Sequence, residues 1–255
     1  MASRAAYLLQ KGLSSDDRLG IALRDDSDMM LMLLAAGYAG IPVVPINWRL
    51  SPSAQVELAE RFGIKIIIGV RPTTRNCDLL FDNCFVEQAD NCEAADAFSL
   101  TNQYKCLGRD HAYMIKLSSG STGYPKGAVV SHKVMLLRVK LALASPYVLT
   151  HSAGRRHLSL LPLAFSAGCN YALYNLVAGN TLVFFPPIFG SDEVMPVLSE
   201  KYIDSTFLLP AHLLDMLRLD EEKRRIRSAT ALVVTGTAPL SPEQRTSILD
   251  EITPN

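Results

Sequence analysis

Short apolar runs rich in β-branched residues alternate along this chain with longer segments whose apolar positions recur at helical spacing. In the first third, such runs predict three strands separated by two helices. Ser27 is predicted to cap a helix that reaches about Tyr38, and Ser51 to cap a second one that starts at Pro52. The three strands are predicted at residues 19–23, 41–46 and 65–68.

The stretch 70–108 carries no sustained period, which predicts surface loops with a short strand near 84–86. The alternation then resumes, and Ser241 opens the last helix as a capping box with Gln244. Strands that alternate with helices predict an α/β fold of mainly parallel sheets flanked by helices. No internal repeat is visible. The later strands are predicted at 113–117, 128–130, 157–161, 181–185, 206–209 and 231–235, and the helices at 131–144, 167–177, 192–201 and 211–217.

Composition narrows the choice of partners. The chain has 255 residues, of which 49% are hydrophobic and 20% charged, as in globular proteins with a substantial core. Its 25 basic and 25 acidic residues cancel, so charge gives no reason to propose nucleic acid or an anionic membrane as a partner.

Location and metal content are constrained by two further observations. The five cysteines form no Cys-x-x-Cys pair, which argues against a disulfide framework, a zinc site or any other metal-ligand set. The uncharged stretch 29–46 is interrupted by Gly37, Gly40, Pro42 and Pro45, so a buried helix followed by a strand explains it better than a membrane span. No signal peptide is recognisable at the start, and a cytoplasmic location is expected.

The strongest chemical signal is the segment Ser118-Ser119-Gly120-Ser121-Thr122-Gly123-Tyr124-Pro125-Lys126-Gly127, which directly follows a predicted strand. Its glycines permit tight turns, its backbone N–H groups can form a nest for an anion, and its hydroxyls and lysine add donors. Residue types alone therefore indicate a phosphate clamp, although a generic glycine-serine loop has the same composition. Pro125 occupies the position of the glycine that precedes lysine in a Walker A loop, so a P-loop kinase or ATPase is disfavoured.

The order of residues from Tyr113 to His132 resembles the phosphate-loop signature of the adenylate-forming superfamily, which contains acyl-CoA synthetases, luciferases and peptide-synthetase adenylation domains. Four other segments are similar to that superfamily in the expected order. They are 17–23, the Ala-Gly-x-x-x-x-Pro-x-Asn-x-Arg-Leu segment at 39–50, the acyl-pocket motif at 161–168, and the turn Val-Thr-Gly-Thr-Ala-Pro-Leu-Ser at 234–241.

The resemblance implies roles for particular residues. Thr122 and Lys126 would act in catalysis, with Lys126 near the departing pyrophosphate. The residues implied to bind the ATP phosphates are Ser118, Ser119, Gly120, Ser121, Thr122, Gly123 and Lys126. Those implied to line the acyl and adenine pocket are Phe165, Gly168, Gly236, Thr237, Ala238 and Pro239. No metal ligand is implied within the chain.

The reaction implied by the resemblance has two steps and uses ATP, Mg²⁺ and coenzyme A. A carboxylate attacks the α-phosphate of ATP to give an acyl-adenylate and pyrophosphate, and a thiol then displaces AMP. Phe165 stands where many acyl- and aryl-CoA ligases have histidine, and Thr237 replaces the commoner second glycine of its turn. The segment at 39–50 and the pocket motif are more similar to acyl-CoA ligases than to peptide-synthetase domains.

The motifs that follow in the superfamily, beginning with Tyr-Gly-x-Thr-Glu, are not found before Asn255. Residues 1–255 are therefore expected to form part of the N-terminal AMP-binding domain, without its C-terminal part and the small lid domain, and to be inactive alone. Exposure of apolar surface in such a piece favours a homo-oligomer. Two alternatives stay open: a non-catalytic nucleotide-binding or scaffold fragment, and an adenylation domain that serves a carrier protein.

Overall fold

The structure is a computed structural model that describes residues 1–69, 80–81, 107–118, 125–146, 148, 154–185, 190–200, 203–219 and 232–252. The chain divides into two compact units. Unit 1 comprises Met1–Arg138 together with Leu163–Ser166, and unit 2 comprises Val139–Pro162 together with Ala167–Asn255. The segment Leu163–Ser166 thus belongs to unit 1, although the residues on both sides of it belong to unit 2.

Unit 1 is built on a six-stranded sheet with the strand order β4-β3-β1-β2-β5-β6. Neighbouring strands run parallel except β5 and β6, which are antiparallel. This confirms the expectation of a mainly parallel sheet. The strands are β1 (Leu19–Ala22), β2 (Val43–Pro45), β3 (Ile66–Gly69), β4 (Leu80–Phe81), β5 (Ala112–Ser118) and β6 (Lys126–Ser131).

β4 lies in the stretch from which only loops and a strand near 84–86 were predicted, and residues 84–86 are outside the described residues. The strands β1, β2 and β3 are buried along their whole length, as expected for parallel strands covered on both faces. Ala22, Val44, Ile67 and their neighbours form a compact apolar cluster with Leu58 of the second predicted helix.

The helices of unit 1 include one that sequence reasoning missed and one whose start it misplaced. Helix α2 begins at Asp26, not near Met29, because Asp25 rather than Ser27 is its N-cap: the Asp25 carboxylate accepts hydrogen bonds from the Ser27 and Asp28 N–H groups. The helices with residues in this unit are α1 (Ala2–Gln10), α2 (Asp26–Tyr38), α3 (Pro52–Phe62) and the first part of α4 (His132–Leu143).

Helix α1 carries no side-chain cap and is short, so its sequence gives only a weak helical signal. It is stabilised by a tertiary contact with α2. Arg4 is buried, and its guanidinium Nη2 lies 3.0 Å from Oδ1 of Asp28.

Unit 2 contains a four-stranded parallel sheet with the order β10-β9-β7-β8. The predicted capping box is confirmed, since the Ser241 Oγ accepts from the Gln244 N–H and the Gln244 side chain accepts from the Ser241 N–H. The strands are β7 (Arg156–Ser159), β8 (Thr181–Phe184), β9 (Ser205–Leu208) and β10 (Leu232–Thr235). The helices are α5 (Ser166–Val177), α6 (Ser191–Glu200), α7 (Pro210–Met216) and α8 (Pro242–Glu251), with α4 entering this unit at Val139.

The two sheets share one topology. In chain order, β1, β2, β3 and β4 occupy the same relative places in the first sheet as β7, β8, β9 and β10 in the second. In both, the first strand lies in the interior with the second on one side and the third on the other. The repeat is one of topology, and no sequence period accompanies it.

Among the helices that the structure describes, none combines the length and the apolar character needed to cross a bilayer. Cys169 is buried and forms no disulfide bond with another described residue, and the other four cysteines lie outside the described residues.

Candidate functional site

The β5–β6 hairpin carries the glycine-rich segment. Ser118 ends β5, Lys126 begins β6, and the two residues are paired in the antiparallel register. The Ser118 hydroxyl donates a hydrogen bond to the Lys126 carbonyl oxygen over 3.3 Å. Both flanks of the predicted phosphate loop are therefore held together at its base. Residues 119–124, which include Ser119, Gly120, Ser121, Thr122 and Gly123, are outside the described residues.

Ser118 and Lys126, at the base of the predicted loop, are both exposed. An exposed lysine on a flexible stem is a mobile positive charge. Phosphate binding by Lys126 and by residues 119–124 stays a prediction from the sequence.

Gly127 has a packing role that the motif alone did not reveal. A Cβ at this position would lie 2.5 Å from Cε1 of Phe62 and 2.8 Å from Cγ2 of Ile115. Only glycine lets β6 run this close to the Phe62 ring. Sequence reasoning had attributed the glycines of the segment to turns and ligand approach. For Gly127 the reason is the packing of the hairpin on its own unit.

The other end of the hairpin holds an aromatic cluster of His111, Tyr113 and His132. The His132 ring lies 5.1 Å from the Tyr113 ring and 6.2 Å from the His111 ring, measured between centroids. Burial, and then the neighbouring His111, lower the pKa of His132 below its usual range. His132 stands at the start of α4, as the helix predicted at 131–144 implies.

A second candidate site lies in unit 2, where the carboxyl ends of β7 and β9 are neighbours. From these two strands the chain continues to opposite sides of the sheet, and ligands of open α/β sheets bind at such switch points. Leu161, Phe207 and Val234 form a buried apolar cluster there. The partly buried residues packed against it are Ala167, Tyr171, Leu209 and Leu232.

The cluster joins two of the predicted pocket motifs. The Tyr171 and Phe207 rings are tilted with centroids 4.6 Å apart. A Cβ at Gly236 would meet Cζ of Phe207 at 3.6 Å, which is ordinary contact. Gly168 lies one helical turn before Tyr171, and a Cβ there would come within 2.5 Å of the Leu161 carbonyl oxygen. The resemblance did not indicate Tyr171 or Phe207, because neither residue lies within one of the matched motifs.

The turn after β10 is strained at one residue. Thr237 has φ 78°, and among the described residues other than glycine no other has a positive φ. A β-branched residue is an outlier in this region, which glycine occupies freely. Thr237, Ala238 and Pro239 are exposed and Gly236 is half-buried. The backbone therefore keeps a conformation suited to glycine although threonine has replaced it.

Phe165 is 51% exposed and lies in unit 1. A shared cavity between Phe165 and the Gly236-Thr237-Ala238 turn of unit 2 stays a prediction. The backbone just before Phe165 is anchored, because the buried Leu163 donates its N–H to Oδ1 of Asp26 over 3.1 Å. Burial raises the pKa of Asp26 to about 6, the Leu163 N–H opposes that rise, and Asp25 adds to it.

Metal-binding side chains are not clustered in the part of the chain that the structure describes. There, no three His, Cys, Asp or Glu residues are placed to hold a metal ion. The described residues therefore give no basis for assigning Mg²⁺ ligands.

The family model described as AMP-binding enzyme matches residues 1–253. The long-chain-fatty-acid–CoA ligase FadD13 of Mycobacterium tuberculosis (strain H37Rv) is 25% identical over 257 residues, covering 94% of this chain and 49% of its own. CymA of Salinispora arenicola, named a probable non-canonical nonribosomal peptide synthetase, is 25% identical over 245 residues, covering 92% of this chain and 3% of its own.

The fold agrees with a solved structure, the inhibitor-bound N-terminal domain of FACL13 from Mycobacterium tuberculosis. Its TM-score is 0.82 at 21% identity, and the match covers 98% of this chain and 65% of that one. The α/β architecture is therefore that of the N-terminal domain of an adenylate-forming enzyme. The chain spans about half the length of most curated relatives that it matches, as the 49% for FadD13 illustrates.

Proposed function

Because the chain belongs to the AMP-binding enzyme family, we propose that it takes part in AMP-forming activation of a carboxylic acid, followed by transfer of the acyl group to coenzyme A. Residues 1–255 would form part of the larger N-terminal domain of such a ligase. The ligand partners are ATP and a carboxylic acid, and the proposed location is the cytoplasm.

The observation that carries this proposal is the closed base of the β5–β6 hairpin. The Ser118 hydroxyl and the Lys126 carbonyl oxygen join the two flanks over 3.3 Å, so that the loop between them is short and its ends are fixed. Fixed donors cost no reorganisation when charge develops on a bound phosphate. This arrangement supports binding of the ATP phosphates by Lys126 and the loop residues between the two ends. The Ser118 hydroxyl already donates its hydrogen bond to the Lys126 carbonyl oxygen, so Ser118 is assigned to the phosphates on the resemblance alone.

The chemical requirement of the first step is charge neutralisation. A carboxylate must approach a polyphosphate, and negative charge then accumulates on the pyrophosphate that leaves. We assign this task to Lys126 with Thr122 and the backbone N–H groups of the loop. Mg²⁺ would enter with ATP and add positive charge beside the phosphates, and none of its ligands is assigned to the described residues.

The acyl group requires an apolar site with few polar atoms. In unit 2 the cluster around Phe207 offers such a surface, bounded by Gly168 on α5 and by Gly236 after β10. We propose that Gly236 leaves space for the acyl or aryl group beside the Tyr171 and Phe207 rings. Gly168 lets the start of α5 approach the Leu161 carbonyl oxygen and is proposed for the same pocket on the resemblance. Phe165, Thr237, Ala238 and Pro239 are proposed for the same pocket on the resemblance alone.

Two alternatives differ in the acceptor and in the chemistry. An adenylation domain that serves a carrier protein has support from the match with CymA, a peptide synthetase by name. A non-catalytic nucleotide-binding protein would keep the hairpin but show no acid-dependent turnover. The segment at 39–50 favours the CoA ligase, since its Asn47-Trp48-Arg49-Leu50 sequence is more similar to acyl-CoA ligases.

ATP–pyrophosphate exchange distinguishes these functions. The protein encoded by the complete gene would be assayed with labelled pyrophosphate, ATP and a panel of fatty and aromatic acids. Exchange that depends on one class of acid supports the proposed ligase, and thioester formation with coenzyme A alone then excludes a carrier protein. ATP binding without exchange for any acid supports the non-catalytic alternative.

A further inference from the structure

Asp26 makes a contact that neither the motifs nor the family resemblance indicate. It is the first residue of α2, and its Oδ1 accepts the N–H of Leu163 over 3.1 Å. Leu163 is fully buried, so its N–H would otherwise be left without a partner at high cost. The contact joins the start of α2 to the pocket motif, 137 residues further along the chain.

The type of residue at this place needs an explanation. A neutral asparagine or serine could accept the same hydrogen bond, and neither would place a charge in a half-buried position. Burying a carboxylate is costly, and its consequence here is a pKa raised to about 6. In return, an ionised carboxylate accepts a stronger hydrogen bond from a backbone N–H than a neutral oxygen does. The carboxylate of Asp26 is thus costly to bury, but its ionised form holds the Leu163 backbone more strongly than a neutral side chain would.

Among the described residues, no cation is paired with the Asp26 carboxylate. Helix α2 packs against α1, β1 and β2. Arg4 of α1 is paired with Asp28, α1 also carries Tyr7, and neither β1 nor β2 contains an ionisable side chain. Leu163–Ser166 has none either. On α2 itself, the neighbouring Asp25 repels the charge of Asp26. The Leu163 N–H is therefore the main stabilising contact of the ionised form.

We propose that Asp26 is a positioning residue for the pocket motif: its carboxylate fixes the Leu163 backbone and thereby the place from which Phe165, two residues further on, presents its ring. The part that concerns Phe165 rests on the proposed function, and the anchoring of Leu163 does not. The anchor is strongest when Asp26 is ionised and weakens as the carboxyl group is protonated.

The first test needs no enzymatic activity. In the ¹⁵N-labelled 255-residue chain, the amide shift of Leu163 should titrate with a midpoint near 6, the pKa to which burial raises Asp26. Asp26→Asn should abolish the titration and keep the bond, whereas Asp26→Ala should speed amide exchange at Leu163 roughly tenfold relative to Asp26→Asn. Asp25→Asn is the matched control, which should retain the titration at a lower midpoint. A Leu163 amide shift that does not change as Asp26 ionises would overturn the proposal.

The second test separates positioning from general stability. We would measure the affinity of an acyl-sulfamoyl-adenosine, which needs the acyl pocket, and of ATP, which does not. Asp26→Ala should weaken binding of the acyl analogue about five- to tenfold and leave the affinity for ATP unchanged. Asp26→Asn should retain most of the wild-type affinity for the acyl analogue. Equal weakening of both ligands would overturn the positioning role. If the wild-type chain bound neither ligand, the proposed function would fail, while the Leu163 titration would still decide the anchor.

Discussion

Ser118 and Lys126 face each other across the antiparallel strands β5 and β6, and the Ser118 hydroxyl donates to the Lys126 carbonyl oxygen over 3.3 Å. The backbone of the catalytic candidate is thus fixed by the residue that opens the phosphate loop, while its ammonium group remains exposed. This pair fixes both ends of the segment that the sequence predicts to bind phosphate.

Gly127→Ala should lower the free energy of unfolding by about 1–3 kcal/mol, the usual cost of overpacking. The added Cβ would lie 2.5 Å from Cε1 of Phe62, and a ring cannot yield as a flexible chain end can. Chemical denaturation measures the effect. Gly108→Ala, where nothing lies within 4 Å of the new Cβ, is the control. Adding Phe62→Leu should reduce the cost of the alanine, and strict additivity would show that the two residues do not compete for space.

Gly168→Ala should affect mainly stability, whereas Gly236→Ala should affect mainly ligand binding. At Gly168 the new Cβ would lie within 2.5 Å of a backbone carbonyl oxygen, so we expect a loss of about 2–3 kcal/mol in unfolding free energy. At Gly236 the methyl group would touch Phe207 at ordinary distance, so stability should change by less than about 1 kcal/mol. The same methyl group should weaken binding of an acyl-adenylate analogue about tenfold. Unchanged analogue binding by folded Gly236→Ala would remove this turn from the pocket.

Thr237→Gly should stabilise the chain. Holding a β-branched residue at φ 78° costs roughly 1–3 kcal/mol, and the greater freedom of glycine in the unfolded chain takes back about 1 kcal/mol. The net rise in unfolding free energy should be up to about 2 kcal/mol. Thr235→Gly, within β10, serves as the comparison and should destabilise. A loss of stability in Thr237→Gly would mean that the threonine side chain contributes more than its backbone strain costs.

His157 should make the protein sensitive to acid. Its ring is buried with Nδ1 2.9 Å from the Ser205 Oγ, and burial lowers its pKa to about 4 from the ordinary 6.5. Between these values the unfolded chain binds a proton and the folded chain does not. The stability that neutral His157 contributes is fully present above pH 6.5. As pH falls towards 4, the free energy of unfolding drops by up to about 3 kcal/mol. Unfolding curves at several pH values measure it. In His157→Asn, which can keep a bond to Ser205, this part of the slope should disappear.

Much of the fold was predictable because each strand and helix carries its own period and most helices their own caps. The exceptions depend on distant contacts. Helix α1 was missed because its stabilising partner for Arg4 is Asp28, on another helix. The start of α2 was misplaced because four consecutive residues, Asp25 to Asp28, are all suited to capping, and only their conformation selects Asp25.

The site was predictable to a different extent. The strands on either side of the predicted phosphate loop followed from the residue pattern at 113–117 and 128–130, and the structure adds that Ser118 and Lys126 pair across them. The phosphate-binding roles stay a prediction. Neither Asp26 nor the Tyr171–Phe207 pair is marked by a motif or a spacing in the sequence. They meet their partners only through the folded chain, and no local spacing records a contact between residues so far apart. The true role of Gly127 also required the position of Phe62.

The central claim is that the β5–β6 hairpin binds the phosphates of ATP through Lys126. Its most direct test is the equilibrium affinity of the 255-residue chain for ATP, measured by titration calorimetry for wild type, Lys126→Ala and Lys140→Ala. Lys140 is an exposed lysine of α4, so the control removes the same charge at another place. We expect Lys126→Ala to weaken ATP binding about tenfold or more, as for loss of a charged contact, and Lys140→Ala to leave it nearly unchanged. Equal affinities for wild type and Lys126→Ala would contradict the account.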